Sequence, residues 1–187
     1  MQKFELMQKK YFIFDLDNTL VKTNRANNKS YEEAIKNVLG IKLQFKNKTS
    51  RFTRKNLTDI SPQIATSQIS EIIKCKEEIY IQHIHETILN VQLVKCLMLL
   101  KDMGEETILL TECHKERALQ LCNYYNLGEL FSHKYYLENY NGINKYLFIR
   151  NLNVAWEAVV LFENDRCEIQ KAKQIGISKN QIITIKF

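Results

Sequence analysis

Tyr11-Phe12-Ile13-Phe14 is an unbroken apolar run that leads straight into Asp15-Leu16-Asp17-Asn18-Thr19. Such a run predicts a strand buried on both faces, as in a parallel sheet with helices above and below it. The texture then changes. Residues 21 to 29 are largely polar, and Ser30-Tyr31-Glu32-Glu33 has serine and glutamate at the spacing of a capping box. Tyr31, Ala34, Ile35, Val38 and Leu39 follow at helical spacing, with Gly40 placed to end the helix. Ser61-Pro62 predicts the start of a second helix, whose apolar stripe (Ala65, Ile69, Ile72, Tyr80, Ile84, Ile88) runs to about residue 89. Residues 21–90 therefore read as a helical insertion.

From Val91 onward, short apolar strands alternate with amphipathic helices. Helices are predicted over 91–103, 115–126, 145–152 and 168–175, and strands over 107–111, 134–137, 158–162 and 182–187. Strict alternation of this kind argues an α/β fold, a doubly wound, Rossmann-like parallel sheet built from right-handed crossovers. The expected organisation is a core of residues 1–20 and 91–187, interrupted by the insertion. Ligands of such sheets bind outside the carboxyl ends of the strands. Asp15 and Asp17 lie at that edge, and two close carboxylates repel each other and favour a bound cation.

Composition narrows the class only slightly. At 187 residues, 45% hydrophobic and 26% charged, the chain can bury a core of its own. A net charge of +6 and a pI near 9.0 favour anionic ligands, phosphorylated metabolites and nucleic acid among them. The five cysteines (Cys75, Cys96, Cys113, Cys122, Cys167) show no Cys-x-x-Cys pair and read as reduced thiols. With no signal-peptide pattern in residues 1–10 and no apolar stretch of membrane-spanning length, the expectation is a soluble cytoplasmic protein without a membrane partner.

The form Asp15-Leu16-Asp17-Asn18-Thr19 after a hydrophobic strand resembles the first motif of the haloacid dehalogenase-like hydrolases. Thr111-Glu112-Cys113-His114, closing the second core strand, resembles their second motif. Lys145, opening Lys145-Tyr146-Leu147-Phe148-Ile149, resembles the lysine of the third, with Lys134 as runner-up. The segment from Phe162-Glu163-Asn164-Asp165 through Glu168-Ile169, Ala172-Lys173 and Gly176-Ile177 resembles the fourth, in the Phe-Glu-Asp-Ser variant of the phosphoglucomutase-like branch. Here Asn164 stands where the commonest form has a metal-binding Asp, and Asp165 takes the variant's serine position. The helical insertion resembles the cap that the family places between its first and second motifs.

The resemblance implies a Mg2+-dependent phosphatase acting on a small phosphorylated metabolite. Asp15 is the implied nucleophile and Asp17 the acid and base. Thr111, with Glu112 beside it, and Lys145 are implied to bind the substrate phosphate. Asp15, Asp17, Glu163, Asn164 and Asp165 are the implied metal ligands. Asp17 argues against dehalogenation, whose branch lacks that residue, and Asn27 occupies the position of the mutases' cap-hinge histidine, so hydrolysis is expected. Asn164 leaves open a binding or regulatory module with weak or lost catalysis.

One stretch of the insertion, from Phe45 to Asn56, interleaves Lys46, Lys48, Arg51, Arg54 and Lys55 with Phe45 and Phe52. Basic and aromatic residues together suit a nucleotide or a nucleic-acid end, through phosphate contact and base stacking. The plainer reading is a solvated loop, so a nucleotide substrate stays open while nucleic acid is not the expected partner. His83 and His85, two apart on a predicted helix, do not share a face and are not expected to bind one ion.

Overall fold

The computed structural model describes residues 10–45, 50–60, 63–152, 154 and 156–187. The chain divides into two compact units, one formed by Met1–Leu20 with Asn90–Phe187 and the other by Val21–Leu89. No helix among the described residues is long and apolar enough to cross a membrane.

The first unit is built on a five-stranded, all-parallel sheet. Its strands are β1 (Tyr11–Phe14), β4 (Glu106–Leu110), β5 (His133–Tyr135), β6 (Val159–Glu163) and β7 (Ile182–Thr184), in the order β5-β4-β1-β6-β7. The apolar run thus becomes the central strand. It pairs with β4 through Phe14↔Leu109 and with β6 through Phe14↔Phe162. Alternation then commits neighbouring residues to opposite faces. On one face Ile13 joins Ile108, Leu110, Leu161 and Val159 in a core closed by Tyr146, Ile149 and Ala172. Phe14 stacks on Phe162 with ring centroids 4.4 Å apart and meets Phe131 edge-on. Both faces are covered, as an unbroken hydrophobic run requires. The crossovers are α4 (Val91–Asp102), α5 (Lys115–Tyr124), α6 (Lys145–Arg150) and α7 (Arg166–Gln174), close to the predicted helices.

The second unit packs α1 (Asn24–Leu39) on α3 (Thr66–Ile79), with the short α2 (Leu57–Ile60) beside them. Its core joins Tyr31, Ala34 and Ile35 to Leu57 and Ile72. Three expectations need correction here. The helix expected at Ser30 begins at Asn24, so Ser30 and Glu33 form no capping box, and the Ser30 hydroxyl donates instead to the Ala26 carbonyl at 2.8 Å. Gly40 does end this helix, at φ 71. The second predicted helix stops at Ile79, giving way to a tighter 3-10 segment, Tyr80–Glu86, and then to a short strand. That strand, β3 (Ile88–Leu89), pairs antiparallel with β2 (Val21–Lys22). The Ser61-Pro62 start lies outside the described residues, as do Lys46 and Lys48.

The basic stretch also reads differently in three dimensions. Phe45 and Phe52 stack on each other at 4.4 Å, and Phe52 meets Tyr31 edge-on, so both aromatics serve the core rather than offering faces for a base. Buried Asn27 and Asn28 hold the segment in place. Asn27 donates to the Phe52 carbonyl and Asn28 to the Ser50 carbonyl, while the Phe52 amide donates back to Asn28 Oδ1, each at 2.8 Å. Arg51 is drawn in with them, donating to the Thr23 hydroxyl at 2.7 Å, whereas Arg54 is exposed. His83 and His85 diverge, toward Glu33 and Glu86 respectively.

Candidate active site

The central strand delivers Asp15 to the carboxyl edge of the sheet, where its amide still donates to the Phe162 carbonyl at 3.1 Å. The chain then turns tightly. Asn18 sits at φ 59, a left-handed conformation that asparagine accepts more readily than most residues, and this brings Thr19 back toward Asp15. The Thr19 hydroxyl lies 3.2 Å from Asp15 Oδ2 and 3.0 Å from Asn164 Oδ1, positioned to donate to either oxygen.

Asp15 Oδ1 faces the other way and accepts from Lys145 Nζ at 3.1 Å. Lys145 is the first residue of α6 and is 2% exposed, so its charge persists only because it is surrounded by acceptors. Besides Asp15, it donates to Glu163 Oε2 at 2.9 Å and lies 3.8 Å from Glu168 Oε2. Burial alone would push the ammonium toward its neutral form. The facing carboxylates of Asp15 and Glu163 outweigh it and hold the lysine charged, well above its usual pKa. Burial raises Asp15 as well, up to about 8, with Glu163 and Asp17 adding to the rise and Lys145 opposing it. The site therefore holds a firmly charged lysine against a carboxyl whose ionisation is costly, an environment typical of functional sites. Lys134, by contrast, donates to the Gly128 carbonyl at 2.8 Å.

The remaining predicted residues divide by what their oxygens already bind. Glu163 is fully engaged: Oε1 accepts from the amides of Asn164 and Asp165 at 2.9 and 3.0 Å, and Oε2 accepts from Lys145 and from the Tyr146 hydroxyl, both at 2.9 Å. Asp165 caps α7, its Oδ1 accepting from Cys167 and Glu168 amides at 2.7 and 3.1 Å. These two carboxylates act as an anchor and a cap in this arrangement. Asn164 turns its amide oxygen toward the Thr19 hydroxyl that Asp15 also meets. Asp15 and Asn164 thus offer oxygens of the kind a small hard cation takes, which needs few carboxylates and fills its remaining positions with water. Among the described residues, no group of three or more His, Cys, Asp or Glu is placed to hold a metal ion without such amide or water oxygens.

Thr111, 1% exposed, follows β4 directly. Its hydroxyl accepts from the Cys113 amide at 3.1 Å, which leaves the hydroxyl proton available to a ligand. Its carbonyl is fixed by the Tyr140 hydroxyl at 2.9 Å. Glu112 extends outward, half-exposed, with Lys171 3.7 Å away.

The structure adds two residues to those predicted. Tyr146 supports Glu163, as described. Arg117 on α5 donates to Asp17 Oδ2 at 3.1 Å and, through Nε, to Cys113 Sγ at 2.9 Å. A sequence signal for Arg117 existed: with Ala118, Leu121 and Cys122 it lies on the buried stripe of α5, where a charged residue needs a partner.

Residues 12–181 match the family described as haloacid dehalogenase-like hydrolase. Among solved structures, CbbY from Rhodobacter sphaeroides in complex with phosphate is similar with a TM-score of 0.77 at 18% identity, covering 96% of this chain and 87% of its own. A CbbY mutant in complex with xylulose-(1,5)bisphosphate matches with a TM-score of 0.77 at 17% identity, over 96% of this chain and 87% of that one. The haloacid dehalogenase-like family protein SP0104 from Streptococcus pneumoniae matches with a TM-score of 0.74 at 17% identity, over 95% and 85%. No curated protein sequence matches the chain.

Proposed function

Since the chain belongs to the haloacid dehalogenase-like hydrolase family, we propose that it is a Mg2+-dependent phosphatase that hydrolyses a small phosphorylated metabolite through an aspartyl phosphate on Asp15. The observation that carries this reading is the buried Lys145–Asp15 contact of 3.1 Å, locked from behind by Glu163. It puts a fixed positive charge beside a carboxylate at the ligand-binding edge of a parallel sheet, the combination that in-line phosphoryl transfer needs.

In the first step an Asp15 oxygen attacks phosphorus, a P–O bond forms, and the ester P–O bond breaks while Asp17 gives a proton to the departing alkoxide. In the second step Asp17 takes a proton from water, the water oxygen attacks phosphorus, and inorganic phosphate leaves with Asp15 restored. Lys145 offsets charge on the phosphoryl oxygens throughout, and Thr111 donates its free hydroxyl proton to one of them. Mg2+, held by Asp15, Asp17 and Asn164 with waters, would supply further charge neutralisation at the same oxygens. The helical unit, residues 21–90 in this proposal, serves as the cap that excludes water and selects the substrate. The phosphate and bisphosphate complexes of CbbY support a phosphorylated ligand. Five unbridged cysteines suit a reducing cytoplasm.

A second reading, a binding or regulatory module, draws on Asn164 alone, which leaves the oxygen set one carboxylate short. Phosphate release from a panel of phosphomonoesters, nucleotides included, decides between the two. Mg2+-dependent turnover lost in Asp15→Asn is expected. Equal turnover in the mutant, or none in the wild type on any ester, would overturn the phosphatase reading.

A further inference from the structure

Asp17 has to deliver a proton to one oxygen and remove one from another, so the direction of its carboxylate decides whether either transfer occurs. Its side chain is only 18% exposed and follows a turn that Asn18 holds in a left-handed conformation. That turn fixes the backbone but leaves the carboxylate to be aimed by its surroundings. Arg117 is a group that meets it: its guanidinium reaches Asp17 Oδ2 at 3.1 Å from the first turn of α5.

Arg117 is itself firmly held. It is 8% exposed, and its Nε donates to Cys113 Sγ. Cys113 is tied in turn, since its amide donates to the Thr111 hydroxyl at 3.1 Å and its carbonyl accepts from the Leu137 amide at 3.2 Å. A chain of contacts thus runs from Thr111 through Cys113 and Arg117 to Asp17. It joins the loop after β4 to the loop after β1, the two loops assigned to the phosphoryl group and to proton transfer.

From this juxtaposition we infer that Arg117 is a positioning residue, aiming the Asp17 carboxylate for proton transfer to the leaving oxygen. The inference rests on the phosphatase reading above. A planar guanidinium gripping both Cys113 and Asp17 sets an orientation that a point charge cannot reproduce.

The role separates from plain structural support through the leaving group. Alkyl phosphates expel a strongly basic alkoxide and need the proton, whereas para-nitrophenyl phosphate expels a stable phenolate and does not. With Arg117→Met at saturating Mg2+, kcat/KM, which reports only the steps through departure of the leaving group, is expected to fall about tenfold to hundredfold for the best alkyl phosphomonoester of the panel and by less than about threefold for para-nitrophenyl phosphate. The shared second step, in which Asp17 is the base, lowers kcat for both esters alike and so is not the readout. Asp17→Asn at saturating Mg2+ should show the same selectivity in kcat/KM, larger in size.

Arg117→Lys keeps the charge and most of the stem, and is expected to show a smaller alkyl-selective loss. It decides the matter if Arg117→Met does not melt cooperatively. Falls of equal size on both esters, or none, in the folded variants would overturn the Arg117 role while leaving Asp15 untouched. Turnover persisting in Asp15→Asn would instead remove the aspartyl nucleophile, and the Arg117 role with it.

Discussion

Glu163 Oε2 accepts Lys145 Nζ at 2.9 Å, while the other oxygen of the same carboxylate is taken by two backbone amides. An acidic residue at a strand end next to the proposed cation site is therefore engaged in fixing a lysine. Glu163→Gln should lower stability by about 1–3 kcal/mol, the worth of a charge-assisted bond to a buried group. It should also lower kcat, because Lys145 loses its rear support, and leave Mg2+ affinity unchanged. Calorimetric Mg2+ titration beside steady-state kinetics checks this, and a weakened Mg2+ site would show that Glu163 is a ligand after all.

Asn164 presents an amide oxygen to the Thr19 hydroxyl, close to Asp15 Oδ2. Substituting Asp there adds a charge to the same oxygen set without lengthening the side chain. Mg2+ affinity of Asn164→Asp is expected to rise by about tenfold or more, a modest Coulombic gain at short range. Titration of the two proteins measures it directly. Equal affinities would mean that position 164 does not face the cation.

Asp15 carries a pKa pushed up to about 8 by burial. The protonated acid is a poor ligand, so protons and Mg2+ compete for it, and affinity must weaken as pH falls. Below pH 8 the Mg2+ dissociation constant should rise about tenfold per pH unit, since one proton is displaced per ion bound. Above that pH it should level off. A dissociation constant flat between pH 6 and pH 8.5 would show that Asp15 is already ionised without the cation.

Asn28, buried in the helical unit, makes one bond to the Ser50 carbonyl and one from the Phe52 amide. Asn28→Ala strands both backbone groups, and the expected cost is about 1–3 kcal/mol in chemical unfolding. An unfolding curve that matches wild type would mean the segment is held by the Asn27 bond to the Phe52 carbonyl and by Phe45–Phe52 stacking without Asn28.

Sequence pattern revealed most of the sheet and less of its support. Four consecutive apolar residues running into two carboxylates read as a doubly covered strand, so β1 and the placement of Asp15 at its end followed from the pattern, while its central position came from the fold. Lys145 and Lys134 looked alike as lysines, and only the fold separates the one that reaches Asp15 from the one that reaches the Gly128 carbonyl. The early part of α1 was hidden for a different reason. Asn24, Arg25, Asn27 and Asn28 belong to a polar stretch ahead of the helix expected at Ser30, and asparagine is a weak helix former, yet here Asn27 and Asn28 are held by bonds to residues more than twenty positions away. Tertiary bonds of that kind leave no periodic trace. Arg117 did leave one, as a cation on an apolar stripe, but its partner Asp17 is one hundred residues distant.

The chain leaves the sheet unit at Leu20 and re-enters it at Asn90, and at that point the Asn90 amide donates to the Leu20 carbonyl at 2.8 Å while its side chain reaches the Thr19 carbonyl at 3.2 Å. Exit and return are thus stitched together at the end of the turn that follows Asp15. A long segment inserted between two bonded neighbours costs the host little loop-closure entropy beyond that of a short one. The insertion can be treated as a cassette: a helical unit of another length or sequence spliced between Leu20 and Asn90 is expected to leave that stitch, and the Asp15 turn next to it, in register.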